Sequence, residues 1–326
     1  VRQYLLLIAF VVIVSAVLLT IVFSPQKMKV ILLHDGDQSM IKAARDALED
    51  LKLPIDIALL RYDAKELHEE LNQLREEGYR LIVGPRLSSH AKVLLPLLED
   101  LDLYAISPTV SSPEIVGKSW RFVTLGIPDY FQTRMIADEL DQMGVESIVL
   151  VVDSANEPYV TQYMTLFRLD FRGTIIGIIE FDGNSLLVEA SLKQPPDAFL
   201  LITDGVAAGK VASFLVNKDY TGEIFCSDLS DDSGLRLFSD GVLDRVNVFS
   251  AVSKEMNTRE DTNYVNTFNA LLLAQEIVRQ HGNNLKEAFL EIADTTVEGI
   301  DGAFTVLDSR YVRKDSYTLR SIGEQK

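Results

Sequence analysis

Short runs of consecutive apolar residues alternate along this chain with longer stretches whose apolar positions recur at helical spacing. Runs of the first kind read as strands buried on both faces, and stretches of the second kind as amphipathic helices. Met28–Leu33, Ile55–Leu60, Leu81–Val83 and Tyr104–Ile106 are such runs. Between them, Ile41, Ala44, Leu48 and Leu51 mark one helix, and Leu67, Leu71 and Leu74 a second within Glu66–Glu77. Val93, Leu94, Leu97, Leu98 and Leu101 mark a third. The alternation restarts after Phe122–Pro128, with helices predicted over Phe131–Met143, Tyr159–Phe171 and Val206–Val216. Strands fall over Ser147–Val152, Thr174–Phe181, Ala198–Ile202 and Glu223–Cys226. Val246–Val252 then reads as extended, Tyr264–Gln280 and Leu285–Ile292 as helical, and the chain from Gly302 as strand and hairpin. This order predicts an α/β protein of two Rossmann-like lobes, each a mainly parallel sheet with helices on both faces.

The N-terminus breaks the pattern. Tyr4–Phe23 is twenty residues without a charge, which as a helix spans roughly 30 Å, the thickness of a bilayer core. A cleaved secretory signal has an apolar core of about 7–15 residues and a small-residue cleavage site; Thr20–Pro25 offers a poor site of that kind. The expectation is therefore an N-terminal transmembrane anchor over 4–23 in a bacterial cytoplasmic membrane. The chain would cross once, with its bulk periplasmic or extracellular.

Composition narrows the partners. A length of 326 residues exceeds one ordinary domain, and 47% hydrophobic residues suffice for real cores. The net charge of −17 argues against nucleic acid, which needs clustered Lys and Arg. Cys226 is the single cysteine, so there is neither an intramolecular disulfide nor a thiolate metal cluster. Its apolar neighbours mark it as a buried small residue.

Candidate chemistry gathers at strand ends. Ser88 and Ser89 follow the Gly84-Pro85 turn, and Thr109, Ser111 and Ser112 follow Ser107-Pro108. Neighbouring carboxyl ends in an open α/β sheet are where ligands bind, although isolated serines more often cap helices and close turns. Asp35 and Asp37 invite comparison with the nucleophile loop of haloacid-dehalogenase-type phosphatases. A helix begins almost at once, however, and Asp231-Asp232 is the only acidic pair on offer for magnesium, so a turn and a cap are expected instead. His90 beside Ser89 makes no dyad, because adjacent helical positions do not face each other. His34, His68, His90 and His281 lack metal-ligand spacing. The expectation is no enzyme, no cofactor and no metal.

Taken together, Gly84-Pro85-Arg86-Leu87-Ser88-Ser89 and Ser107-Pro108-Thr109-Val110-Ser111-Ser112-Pro113-Glu114-Ile115, in that order and joined by a helix and a strand, resemble the leucine/isoleucine/valine type of solute-binding protein. That family has the type I periplasmic-binding-protein fold. The resemblance implies a two-lobe clamp that closes on an amino acid or similar small solute and delivers it to an ABC permease. The alternative it leaves open is a membrane-anchored sensor or interaction module with a degenerate cleft, facing an envelope protein. It implies a first lobe of 28–125 plus 253–300, and a second of 126–252 plus 301–326. By the same resemblance Ser89 meets the ligand carboxylate, Ser111 supplies a hydroxyl and Thr109 a backbone contact. Asp228 pairs with the ligand ammonium, and Tyr159 is the aromatic lid. Three departures stand out: the short His34–Gln38 loop, Pro128 in place of a polar residue with Asp129 or Tyr130 as substitutes, and no aromatic near Gly205.

Overall fold

The computed structural model describes residues 28–50, 55–181, 186–250, 260–314 and 318–321. The expected anchor, 4–23, lies outside the described residues. Among those described, no helix is long and apolar enough to cross a membrane.

The first unit runs β1 (Met28–His34), α1 (Gln38–Asp50), β2 (Ile55–Arg61), α2 (Leu67–Glu76), β3 (Leu81–Val83), α3 (Ser88–Asp100), β4 (Tyr104–Ser107) and β5 (Phe122–Thr124). Its strands form one parallel sheet in the order β2-β1-β3-β4-β5. The apolar runs are buried on both faces because successive side chains point to opposite sides. Val30, Leu32, Leu81, Val83 and Ile106 enter one core, and Ile31, Leu33, Ile82 and Ala105 the other. Full burial of each such side chain contributes about 1.5–3 kcal/mol.

The second unit runs α4 (Asp129–Gln142), β6 (Ser147–Val152), α5 (Glu157–Asp170), β7 (Thr174–Glu180), α6 (Leu186–Ser191), β8 (Ala198–Ile202), α7 (Gly205–Asn217), β9 (Glu223–Cys226), α8 (Ser233–Phe238) and β10 (Val246–Ser250). The same two-sided split recurs: Ile148, Leu150 and Leu200 on one face, Val149, Val151 and Leu201 on the other. Cys226 is fully buried, and burial pushes its thiol up to about 12.

The chain then returns to the first unit. In α9 (Thr262–His281) and α10 (Leu285–Leu290), Val265, Phe268, Leu271 and Phe289 join the core that holds Val30 and Leu32. β11 (Thr296–Gly299), β12 (Gly302–Val306) and β13 (Val312–Lys314) form a small antiparallel sheet. The resemblance assigns 301–326 to the second lobe; in the structure Phe304, Val306 and Val312 bury in the first core instead. β14 (Thr318–Ser321) crosses to the second sheet, antiparallel to β10, completing the order β14-β10-β9-β8-β6-β7. Two short helices, α6 and α8, are additions to the sequence reading; at six residues each they show too little periodicity to be read.

Candidate functional site

In both sheets the strand order reverses beside the first strand of the unit, at β1/β3 and at β6/β8. The carboxyl ends at these points open the crevices in which α/β proteins hold ligands. Here the two crevices face each other.

The first jaw is a set of tightly tied turns. β3 ends at Gly84, whose φ is +119° and where an added Cβ would sit 2.2 Å from the Leu33 carbonyl oxygen. Ser107 Oγ donates to the Pro85 carbonyl at 2.7 Å and accepts from the Val110 N–H at 3.0 Å. Thr109 Oγ1 donates to the Arg86 carbonyl at 2.9 Å, and Thr124 Oγ1 to the Val110 carbonyl at 2.6 Å. The hydroxyls thus serve their own loops. Asp37 caps α1, its Oδ1 accepting from the Met40 N–H at 2.8 Å, and Asp35 accepts from Arg86 Nε at 2.8 Å. The acidic loop after β1 is the turn and cap that its sequence suggests.

The second jaw is different. Asp129, in the first turn of α4, is fully buried, and neither of its carboxylate oxygens has a hydrogen-bond partner. Burial drives its pKa well above the usual carboxylate range, and the neighbouring Asp228 pushes the same way. The Ser111 hydroxyl eases that shift from close by without reaching hydrogen-bond geometry. Asp228, just after β9, accepts from Tyr159 Oη at 2.8 Å, and its N–H donates to Gln132 Oε1 at 3.4 Å. Burial outweighs those contacts and pushes Asp228 up to about 7. Tyr163 packs against Tyr159, ring centroids 5.3 Å apart, and its buried hydroxyl has no partner.

The jaws meet along a polar seam. The Ser89 N–H donates to Asn156 Oδ1 at 3.0 Å, and Thr262 Oγ1 donates to Asp231 at 2.6 Å. Ser112 Oγ donates to the Pro158 carbonyl at 3.3 Å. Arg86, its side chain only 11% exposed, reaches from Asp35 towards Asp232 at 3.8 Å on the second jaw. Between the jaws remains a cavity of about 10 Å³, with Arg86, Ser88 and Thr109 on one side and Asn156, Tyr159 and Asp228 on the other. That is the volume of one water. Larger open hollows, of about 610 and 650 Å³, lie at the amino ends of the second sheet and along β7. Neither is at a strand carboxyl end; a third, of about 460 Å³ beside Ser39, Lys42, Ser233 and Asp261, is an open surface groove. The small cavity, enclosed between the turns of both jaws, is the candidate site.

Of the residues picked out in the sequence, Ser88, Thr109, Tyr159 and Asp228 line this cavity. Ser89 spans the seam through its backbone. Ser111 and Asp129 lie together deeper in the cleft, where the Ser111 carbonyl accepts from Tyr311 Oη at 2.8 Å. Tyr159 is buried and donates its hydroxyl to Asp228. Sequence reasoning missed Arg86, Asn156 and Asp232. Arg86 had a readable signal, a lone cation inside a strand-end turn of a strongly acidic chain; Asp232 was visible only as half of the Asp231-Asp232 pair, and Asn156 had no signal. Among the described residues no cluster of His, Cys, Asp and Glu is arranged to hold a metal.

Solved structures resemble this arrangement across nearly the whole chain. Leucine-binding protein LivK from Thermotoga maritima superposes with a TM-score of 0.76 at 14% identity, over 90% of this chain and 97% of that one. This is the type I periplasmic-binding-protein fold. Substrate-binding protein LivJ from Streptococcus pneumoniae, in complex with isoleucine, gives a TM-score of 0.77 at 14% identity over 90% of this chain and 99% of that one. A solute-binding protein from R. palustris in complex with benzoate gives 0.78 at 16% identity, over 92% and 94%. No family model and no curated protein sequence matches the chain. In a type I fold the carboxyl ends of both sheets border one cleft, and it is there that Asp228 and Arg86 line the small cavity and Asn156 takes the Ser89 N–H of α3.

Proposed function

We propose that this chain is an extracytoplasmic solute-binding protein that closes its two lobes round a small ligand bearing an ammonium group, an amino acid or a relative, for an ABC transporter. The observation that carries the reading is the fully buried, unpartnered Asp129 carboxylate beside Asp228. A buried carboxylate without a partner is costly, and a cation that supplies charge and hydrogen bonds offsets that cost. The start of α3 suits the ligand's anionic end: no side chain of its own turn caps it, and helix N-termini favour anions. That similar structures include a leucine-binding protein and complexes with isoleucine and benzoate supports a small carboxylate ligand. In this reading 4–23 tethers the lobes to the outer face of the cytoplasmic membrane.

Contacts from both lobes make closure depend on ligand. With the full chain in mild detergent, thermal unfolding against amino acids, amines and small carboxylates tests the reading. A true ligand at a hundred times its dissociation constant adds about 2.7 kcal/mol of stability, and Asp228→Asn removes that gain. No shift with any compound would overturn the reading in favour of an interaction module of the same fold.

A further inference from the structure

The closed cleft already contains two internal substitutes for a ligand. At the α3 N-terminus the amide oxygen of Asn156 takes the Ser89 N–H, the place of an anion. At the other end, the Arg86 guanidinium lies in a cage of carboxylates, bonded to Asp35 and near Asp232, with Asp37 adding its field. That cage is prebuilt from backbone contacts. Asp35 accepts from the Asp37 N–H at 3.3 Å, Asp37 from Met40, and Asp232 from the N–H groups of Gly234 and Leu235 at 2.7 and 3.3 Å. A further place for a cation is at Asp129, whose two buried oxygens have no hydrogen-bond partner and which lies near Asp228.

We propose that the ligand is a basic amino acid. Its carboxylate displaces Asn156 from the start of α3, its α-ammonium sits between Asp129 and Asp228, and its side-chain cation displaces Arg86 from the Asp35–Asp37–Asp232 cage. The proposal deepens the solute-binding reading and rests on it. Three features support a cationic side chain over an apolar one. The cavity is lined by polar groups with Leu229 as its one aliphatic side chain. Arg86 is the single cation and Asp228 the single carboxylate among its lining residues, and Asp35 and Asp232 hold the Arg86 guanidinium beside it. And the cage demonstrably accommodates a guanidinium, since it holds one. Arg86 is then a specificity-determining residue acting as a tethered competitor: it neutralises the cage while the cleft is unliganded and leaves when a ligand brings its own cation.

Calorimetric titration of the full chain with arginine, lysine and ornithine, and with citrulline, leucine and benzoate as controls, tests this. Citrulline keeps the shape of arginine and lacks its charge. Arginine is expected to bind about tenfold or more tighter than citrulline, the scale of a close charge pair. Arg86→Ala is expected to tighten arginine binding by about tenfold. Arg86→Gln, which keeps most of the side-chain bulk, serves if the alanine variant loses its circular-dichroism spectrum. Binding of leucine or benzoate without binding of the basic compounds overturns the ligand assignment and leaves the solute-binding reading intact. Equal affinity for arginine and citrulline also overturns it. So does Arg86→Ala leaving arginine binding unchanged or weaker, which would make Arg86 a bystander or a direct ligand contact. No binding of any compound overturns both readings.

Discussion

The two jaws of the cleft are built from the same kind of strand-end loop, yet their polar atoms are in opposite states. On the first, the hydroxyls of Ser107, Thr109 and Thr124 each bond a carbonyl of their own turns. On the second, both oxygens of Asp129 and the hydroxyl of Tyr163 are buried without partners. The first jaw is therefore a finished scaffold, and the second carries buried polar atoms whose hydrogen bonding is unmet. Residue types that look ready to bind are those most easily satisfied locally. The atoms left for a ligand are the ones that tertiary packing strands.

The largest effect that would test this contrast is at Gly84. Its positive φ and the 2.2 Å approach of a Cβ to the Leu33 carbonyl leave no room for a side chain. Gly84→Ala should cost roughly 3 kcal/mol of unfolding free energy, measured by denaturant titration. A neutral result would mean that the first jaw is not the rigid half.

Next comes a pair of substitutions of opposite sign. Asp129→Leu should stabilise the unliganded protein by about 1–2 kcal/mol, because it replaces a buried unsatisfied group with an apolar one of similar size. Ser107→Ala should destabilise it by about 1 kcal/mol, because it unties a satisfied turn. Matching signs in a denaturant melt would erase the distinction between the jaws.

The contrast also bears on pH dependence. Burial raises Asp228 and Asp261 to about 7 and Asp232 to about 6, from ordinary values of 3.8. Round them stand Tyr159 and Gln132 at Asp228, with Asp231 facing both it and Asp261. Ser39 and Asp37 stand at Asp261, and Arg86, Asp37 and Asp204 at Asp232. Above pH 3.8 the folded state keeps protons that the unfolded chain has released. The stability these groups contribute is thus complete below that pH and lost as pH rises through 6 and 7. The melting temperature should fall between pH 5 and pH 8, and less steeply in Asp228→Asn. A profile that rises over this window would show the seam to be ionised and open.

Much of the fold could be read from the chain because parallel strands buried on both faces leave unbroken apolar runs. Ala198–Ile202 and Glu223–Cys226 have the limits their sequence suggests. Where the reading slipped, the signal was non-local. Residues 302–314 carry a hairpin pattern with no indication of which lobe they join, and it is the burial of Phe304 and Val306 beside Phe268 that settles it. Tyr159, expected as a lid, lines the cavity and donates to Asp228, a bond that an aromatic near a strand end does not reveal in sequence.

The sequence by itself determined the alternation of strands and helices, the two sheets and the position of the polar loops at their carboxyl ends, since each follows from periodicity and turn chemistry within a few residues. Only the tertiary structure decided which polar atoms lie unsatisfied in the cleft, and that Arg86 of one lobe meets Asp232 of the other, 146 positions later in the chain. Burial and charge pairing across such separations depend on how two lobes close, and no local pattern of residues encodes that.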